Sequence, residues 1–219
     1  MSSNFAFYGG TFDPVHRGHI AVARAALADS RFNLEKIYFV PAAVPPHKQR
    51  QQITSYRDRL AMLELALKES GEERFVASDL ESPEKNPEAV PNYSINTIRK
   101  LKEELRQTHE DLELYFIVGI DSFLQIGGWR EPEALLKECR FIVVSRPGFS
   151  IPEEAAALLP ENLRRRVSGN VSDKIFLLPT VAEEISSTQI REAVAKGESL
   201  GEYVPEAVAK YIRERRHYL

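Results

Sequence analysis

Short apolar runs punctuate the chain at residues 5–8, 37–40, 74–77, 114–118, 141–144 and 175–178. Each is continuous rather than alternating, the pattern of strands covered on both faces within a parallel sheet. Amphipathic stretches fill the spaces between them. Ile20, Ala23 and Leu27 share a face in the first, and Leu60, Leu63 and Leu67 do so across residues 56–69. Ile95, Ile98, Leu101 and Leu105 mark a third after Tyr93. These spacings lie near the helical repeat, with mostly polar residues between. A last helix is predicted over residues 205–215, with Pro205 near its first turn. Strands alternating with helices predict a Rossmann-like, doubly wound α/β fold: a parallel sheet with helices on both faces.

A chain of 219 residues suits a single domain. The pattern places the core sheet over about residues 4–180 and a helical C-terminal extension over about residues 186–219. Two segments exceed a minimal version. Residues 82–92 are rich in Pro, Asn and Glu, long for a plain connection, and read as a mobile lid leading into the third helix. Within residues 151–172, the helical pattern of residues 153–166 followed by Ser168-Gly169-Asn170 reads as a surface helix with a flexible exit.

Composition narrows the function classes. Apolar residues at 43% and charged residues at 28% describe an ordinary globular chain rather than a disordered one. The formal net charge of -3 argues against a protein that coats nucleic acid, which would show a basic excess. No apolar stretch approaches a membrane span, and no basic leader precedes residues 5–8, so cytoplasmic residence is expected. Cys139 is the single cysteine, which excludes an internal disulfide and a cysteine metal cluster. Beside an apolar run, it reads as a packed small residue.

The first strand runs into Gly9-Gly10-Thr11-Phe12-Asp13-Pro14-Val15-His16-Arg17-Gly18-His19. In a parallel sheet this turn lies at the C-terminal edge, where open α/β folds bind ligands, and paired glycines allow close backbone approach. His16 and His19 are one helical turn apart and can face one site. The string is neither a dinucleotide fingerprint nor a P-loop. On its own, the histidine pair also fits a cap and a surface residue. Near the other end, Ile185-Ser186-Ser187-Thr188-Gln189-Ile190-Arg191 opens a helix with capping-box spacing between Ser186 and Gln189. Such a helix end favours phosphate, and Arg191 adds a planar cation one turn in. The plainer reading of the same string is a well-capped helix.

Together the two strings resemble the signature of the nucleotidyltransferase superfamily with a His-x-Gly-His motif. More narrowly, they resemble the bacterial nicotinate-nucleotide adenylyltransferase family, which also carries an Ile-Ser-Ser-Thr-x-Ile-Arg element. The likeness continues through Pro45-Pro46-His47-Lys48, Tyr56-Arg57, Tyr93-Ser94-Ile95-Asn96-Thr97, Gly119-Ile120-Asp121-Ser122, Trp129 and Ser145-Arg146-Pro147-Gly148. Ser94 departs from the more usual threonine.

The resemblance implies direct transfer of AMP from ATP to nicotinate mononucleotide, giving deamido-NAD and pyrophosphate in NAD biosynthesis, with no covalent intermediate. It assigns the chemical step to His16 and His19. ATP falls to Gly9, Gly10, Thr11, Phe12, Lys48, Gly119, Asp121, Ser187, Thr188 and Arg191. The acceptor falls to Arg57, Tyr93, Ser94, Trp129 and Arg130. Mg²⁺ is expected to arrive with ATP, held by phosphates and water rather than a protein cage, although Asp13 stands close to the site. ATP and the mononucleotide are then the partners, without nucleic acid or membrane, and self-association stays open. Alternatives are an adenylyltransferase using nicotinamide mononucleotide or phosphopantetheine, and a noncatalytic nucleotide-binding regulator on the same fold. Tyr93-Ser94, Trp129 and the 45–48 loop favour a pyridine nucleotide. Both histidines, Lys48 and Arg191 count against a regulator.

Overall fold

A computed structural model describes residues 2–45, 53–87, 91–145, 158–164, 172–179 and 185–219. The strands are β1 (Ser3–Gly10), β2 (Leu34–Pro41), β3 (Phe75–Ala77), β4 (Leu112–Gly119), β5 (Arg140–Val144) and β6 (Ile175–Leu178). Every pairing is parallel, in the order β3-β2-β1-β4-β5-β6. The predicted doubly wound sheet is therefore present. Its order reverses between β1 and β4, and such a switch point opens a crevice at the C-terminal strand ends. Tyr8 pairs with Ile117, which carries Gly10 and Gly119 to that same edge.

The continuous apolar runs follow from burial on both faces. Along β1, Phe5 and Phe7 point into one core and Ala6 into the other. Along β4, Leu114, Phe116 and Val118 join the first of these cores while Tyr115 and Ile117 join the second. Helices α1 (Arg17–Ala28) and α2 (Tyr56–Ser70) cover one face. The C-terminal helices α7 (Ser187–Ala195) and α8 (Glu206–Arg215) share that core, through Ile190, Val208 and Ile212 packed with Ile20 and Met62. The other face is covered by α3 (Ser94–Arg106) and α5 (Pro132–Glu138), which contribute Ile95, Ile98, Leu101, Leu135 and Leu136. Between β4 and α5 lies the one-turn helix α4 (Ile120–Phe123). Truncating a side chain as buried as Ile98 to alanine would cost about 2–5 kcal/mol. Cys139 packs in the same core as Phe5 and Phe7, as its sequence context suggested, and donates to Leu135 O.

In three places the described residues add detail to the expected picture. In α2, Leu63 and Leu67 are buried as expected, but Leu60 is only half-buried, and Arg59 joins Met62 and Ala66 on the buried side. Arg59 is held there by the backbone oxygens of Thr54 and Thr11. Within residues 151–172 the described residues hold the short α6 (Glu161–Arg164), with Leu158, Leu159 and Leu163 buried in the core of Phe5 and Phe7, and the rest of the expected surface helix and its exit lies outside the described part. The described start of the presumed lid is a stitched turn. Lys85 N and Asn86 N donate to Ser82 O at 3.0 and 2.9 Å, and Asn86 Nδ2 reaches Leu80 O at 3.1 Å. Its far end is pinned as well, because Asn92 N donates to Val44 O at 3.0 Å and Val44 N to Asn92 Oδ1 at 2.6 Å. Residues 88–90 lie outside the described part.

Candidate active site

The loop from β1 to α1 is built by packing constraints on small and aromatic residues. A Cβ on Gly9 would fall 2.6 Å from the Phe7 ring, and one on Gly10 would fall 3.0 Å from Phe12. Phe12 turns the chain in the left-handed region at φ 49°, a conformation costly for a bulky residue unless its surroundings fix it. Its ring is buried, edge-on to Tyr8 and His19. That burial is the compensation for the backbone strain.

His16 and His19 begin α1. The His16 N–H donates to His19 Nδ1 at 3.2 Å, and the two rings lie face to face at a tilt of 33° with centroids 3.6 Å apart. Because Nδ1 of His19 accepts, the neutral ring carries its proton on Nε2. Burial lowers the His16 pKa to about 4. Burial, and then the neighbouring His16, holds His19 well below its ordinary value. Both imidazoles are thus neutral donors and acceptors at physiological pH. His16 Nδ1 is buried without a partner among the described residues, which is unusual for an interior nitrogen and typical of a functional position.

The loop is held from behind. Arg59, 1% exposed, donates from Nε to Thr54 O at 2.9 Å and from Nη1 to Thr11 O at 2.7 Å. Asp13 Oδ2 accepts from Thr54 N at 3.3 Å, and Asp13 Oδ1 accepts from the Tyr218 hydroxyl at 2.7 Å. The start of α7 docks on the same loop: Ser187 Oγ donates to Pro14 O at 3.0 Å, and Arg191 Nη1 donates to Asp13 O at 2.7 Å. Ser186 and Gln189 form the predicted capping box, with Gln189 N to Ser186 Oγ at 3.2 Å and Ser186 N to Gln189 Oε1 at 2.8 Å. Ser187 and Thr188 supply the other N–H groups of that helix end. Thus the two strings, 170 residues apart in position (His16 and Ser186), meet at one edge of the sheet.

On the β4 side, Gly119 caps α4, and Asp121 lies exposed in its first turn. Trp129 is half-buried, with its ring 5.9 Å from Phe116, so part of it serves the core. The Arg130 guanidinium lies 4.9 Å over the Tyr93 ring. Tyr93 is the N-cap of α3 and supplies no side-chain cap, while its carbonyl accepts from Asn96 N and Thr97 N. Ser94 therefore opens a long helix with an uncapped positive end. Beneath it, Thr97 Oγ1 donates to Glu81 Oε1, and Glu81 Oε2 is buried without a partner among the described residues. Burial raises the Glu81 pKa to about 7, against the opposing hydrogen bond from Thr97.

The cytidylyltransferase-like family model matches residues 7–193, most of the chain. A relative in Symbiobacterium thermophilum, bearing the name "Probable nicotinate-nucleotide adenylyltransferase", is 40% identical over 98% of this chain and 94% of its own. One of the same name in Clostridium tetani is 34% identical over 95% of this chain and 96% of its own. The chain belongs to the nicotinate-nucleotide adenylyltransferase family. Its fold matches that of the Plasmodium falciparum nicotinic acid mononucleotide adenylyltransferase complexed with NaAD, at a TM-score of 0.71 and 21% identity, covering 99% of this chain and 97% of that one. This member of the adenylyltransferase family is thus a nucleotidyltransferase on a Rossmann-like fold.

Measured against the family expectation, the structure gathers Gly9, Gly10, Thr11, Phe12, His16, His19, Ser187, Thr188 and Arg191 around one loop. It pairs Tyr93 with Arg130. Arg57 lies on the exposed side of α2, within electrostatic reach of Tyr211. Lys48 falls outside the described residues, as do residues 146–148. The sequence reading missed Arg59, Glu81 and Tyr218. Arg59 left a signal, because a cation stands three and four residues before Met62 and Leu63 on the apolar stripe. Tyr218, 205 residues beyond Asp13, left none.

Proposed function

We propose that the protein transfers AMP from ATP to nicotinate mononucleotide, releasing pyrophosphate and forming deamido-NAD. The observation that carries this reading is the closely packed, neutral pair His16–His19 at a helix start, directly across the loop from the capped end of α7. A phosphate group approaching this place meets N–H donors from two helix ends. His19 Nε2–H and His16 add side-chain donors on the α-phosphate, where charge grows as the acceptor's phosphate attacks and pyrophosphate leaves. The attacking phosphate is already ionised, so no protein nucleophile is required and the work is positioning and charge stabilisation.

Among the described residues Arg191 spends its guanidinium donors on Asp13 O and Thr188 Oγ1 alone, and with its remaining donors and Lys48 it holds the outer phosphates. Gly119 and Asp121 take the adenosine ribose. Tyr93, Ser94, Trp129 and Arg130 take the pyridine nucleotide. ATP enters as its Mg²⁺ complex, with the ion carried by phosphates and water. In keeping with this, both oxygens of Asp13 are already committed to Thr54 and Tyr218.

The test is pyrophosphate release from ATP with nicotinate mononucleotide, nicotinamide mononucleotide and phosphopantetheine offered separately. Turnover with the first at rates well above the others supports the assignment. Turnover with phosphopantetheine alone, or with none, refutes it.

A further inference from the structure

The C-terminal tail reaches the loop that carries the histidines. After α8, Arg216 takes a left-handed conformation (φ 55°) and so does Tyr218 (φ 67°), reversing the chain toward α2. His217 stacks against Tyr211 and lies 3.5 Å from Asp58 Oδ1, which also accepts from the Tyr211 hydroxyl at 2.8 Å. These contacts anchor the tail without touching the histidine loop. Tyr218 is different, because its hydroxyl donates to Asp13 Oδ1 at 2.7 Å.

Asp13 joins three separate parts of the chain. Its Oδ2 takes Thr54 N, its carbonyl takes Arg191, and its Oδ1 takes Tyr218. It is 5% exposed and lies between Phe12, whose ring packs on His19, and Pro14, whose carbonyl holds Ser187. A rotation of the Asp13 side chain would release Thr54 and, through it, the Arg59 bridge to Thr11. Burial pushes the Tyr218 hydroxyl well above its ordinary pKa, so it stays a donor. We propose that Tyr218 is a positioning residue for AMP transfer: its hydroxyl fixes Asp13, and Asp13 fixes the loop that aims His16 and His19.

The proposal rests on the adenylyltransferase reading, and the experiment separates the two. Tyr218→Phe keeps the ring and removes only the donor; Tyr211→Phe removes the neighbouring tail anchor on Asp58 and serves as the control. With saturating ATP and nicotinate mononucleotide, Tyr218→Phe should lower kcat about 10-fold, as small misplacements of catalytic groups do. KM should stay within about 2-fold of wild type, because the histidines act on the transition state. Tyr211→Phe should leave kcat unchanged. In the free protein, the ring ¹⁵N resonances of His16 and His19 should shift in Tyr218→Phe and stay put in Tyr211→Phe. An unchanged kcat in Tyr218→Phe, or an equal loss in both variants, overturns the positioning role. A wild-type protein that turns over none of these substrates refutes the functional reading instead. The imidazole spectra then decide alone, with unshifted resonances overturning the positioning role.

Discussion

The backbone N–H of His16 donates to Nδ1 of His19 at 3.2 Å, which leaves the proton of the neutral His19 ring on Nε2. One residue thus serves both as a helix-start acceptor and as a side-chain donor, and substitution can separate the two. His19→Asn keeps an acceptor near the position of Nδ1 but loses the Nε2 donor. Its kcat should fall about 10²-fold or more, the scale for removing one transition-state donor, with near wild-type stability. His19→Ala should lose the same activity and, in addition, about 1 kcal/mol of stability, because a helix-start N–H loses its acceptor. Steady-state kinetics paired with denaturant midpoints checks both. A folded His19→Asn protein with normal kcat removes the residue from the chemical step.

Glu81 sets a pH dependence of the opposite sign to the histidines. Its folded pKa of about 7 lies above the ordinary 4.5, so the stability it contributes is present below 4.5 and lost as pH rises through 7. His16, lowered from 6.5 to about 4, contributes stability that is full above 6.5 and lost as pH falls towards 4. Glu81→Gln keeps an oxygen for Thr97 and cannot ionise. At pH 8.5 it should be more stable than wild type by roughly 3 kcal/mol, and at pH 5 by less than about 1 kcal/mol. Urea melts at the two pH values measure this, and equal differences at both would refute the buried ionisation.

Arg191 spends part of its planar fork on protein, binding Asp13 O at 2.7 Å and Thr188 Oγ1 at 3.1 Å. Lysine keeps the charge but cannot span those two acceptors and a phosphate together. Arg191→Lys should therefore raise the KM for ATP about 10-fold or more while moving the acceptor KM little. Separate KM values in the variant test this. A change confined to the acceptor would reassign the residue.

The sheet was legible because burial on both faces writes itself as continuous apolar runs, and all six strands stand within a few residues of those runs. The helix faces were less so. Ile95, Ile98, Leu101 and Leu105 of α3 are all buried as the spacing predicts, yet in α2 Leu60 is only half-buried and Arg59 lies inside, bound to backbone oxygens, a polar requirement that hydrophobic periodicity does not register. The histidine loop and the capped start of α7 could be found because each is a local string. Their meeting is a consequence of topology. The support beneath them was not legible, since Tyr218 and Asp13 are joined only by the folded chain. Glu81 was hidden for a related reason: its bond to Thr97 spans the segment that begins at residue 82, which reads as a lid in the sequence.

Discrimination between nicotinate mononucleotide and its amide counterpart should come from α3 and Arg130. The two acceptors differ in one group, a carboxylate against a carboxamide. Ser94 opens a 13-residue helix whose N-cap, Tyr93, offers no side-chain acceptor, so the positive helix end favours an anion. Arg130, lying 4.9 Å over the Tyr93 ring, adds a full positive charge beside it. An amide would turn its NH₂ towards these donors and leave mismatched polar groups, a penalty of a few kcal/mol. The acid should therefore win by at least ~10²-fold in kcat/KM when both compete in one reaction. Arg130→Met should shrink that ratio by about 10-fold, equivalent to about 1.4 kcal/mol, because the amide never used the charge. Trp129 acts on both acceptors alike, since a stacked indole attracts the pyridinium ring of either. Trp129→Ala should weaken both while preserving their ratio, with some loss of stability from its packing on Phe116. Equal use of the two mononucleotides by the wild-type protein, or a ratio untouched by Arg130→Met, would place the discrimination elsewhere in the pocket.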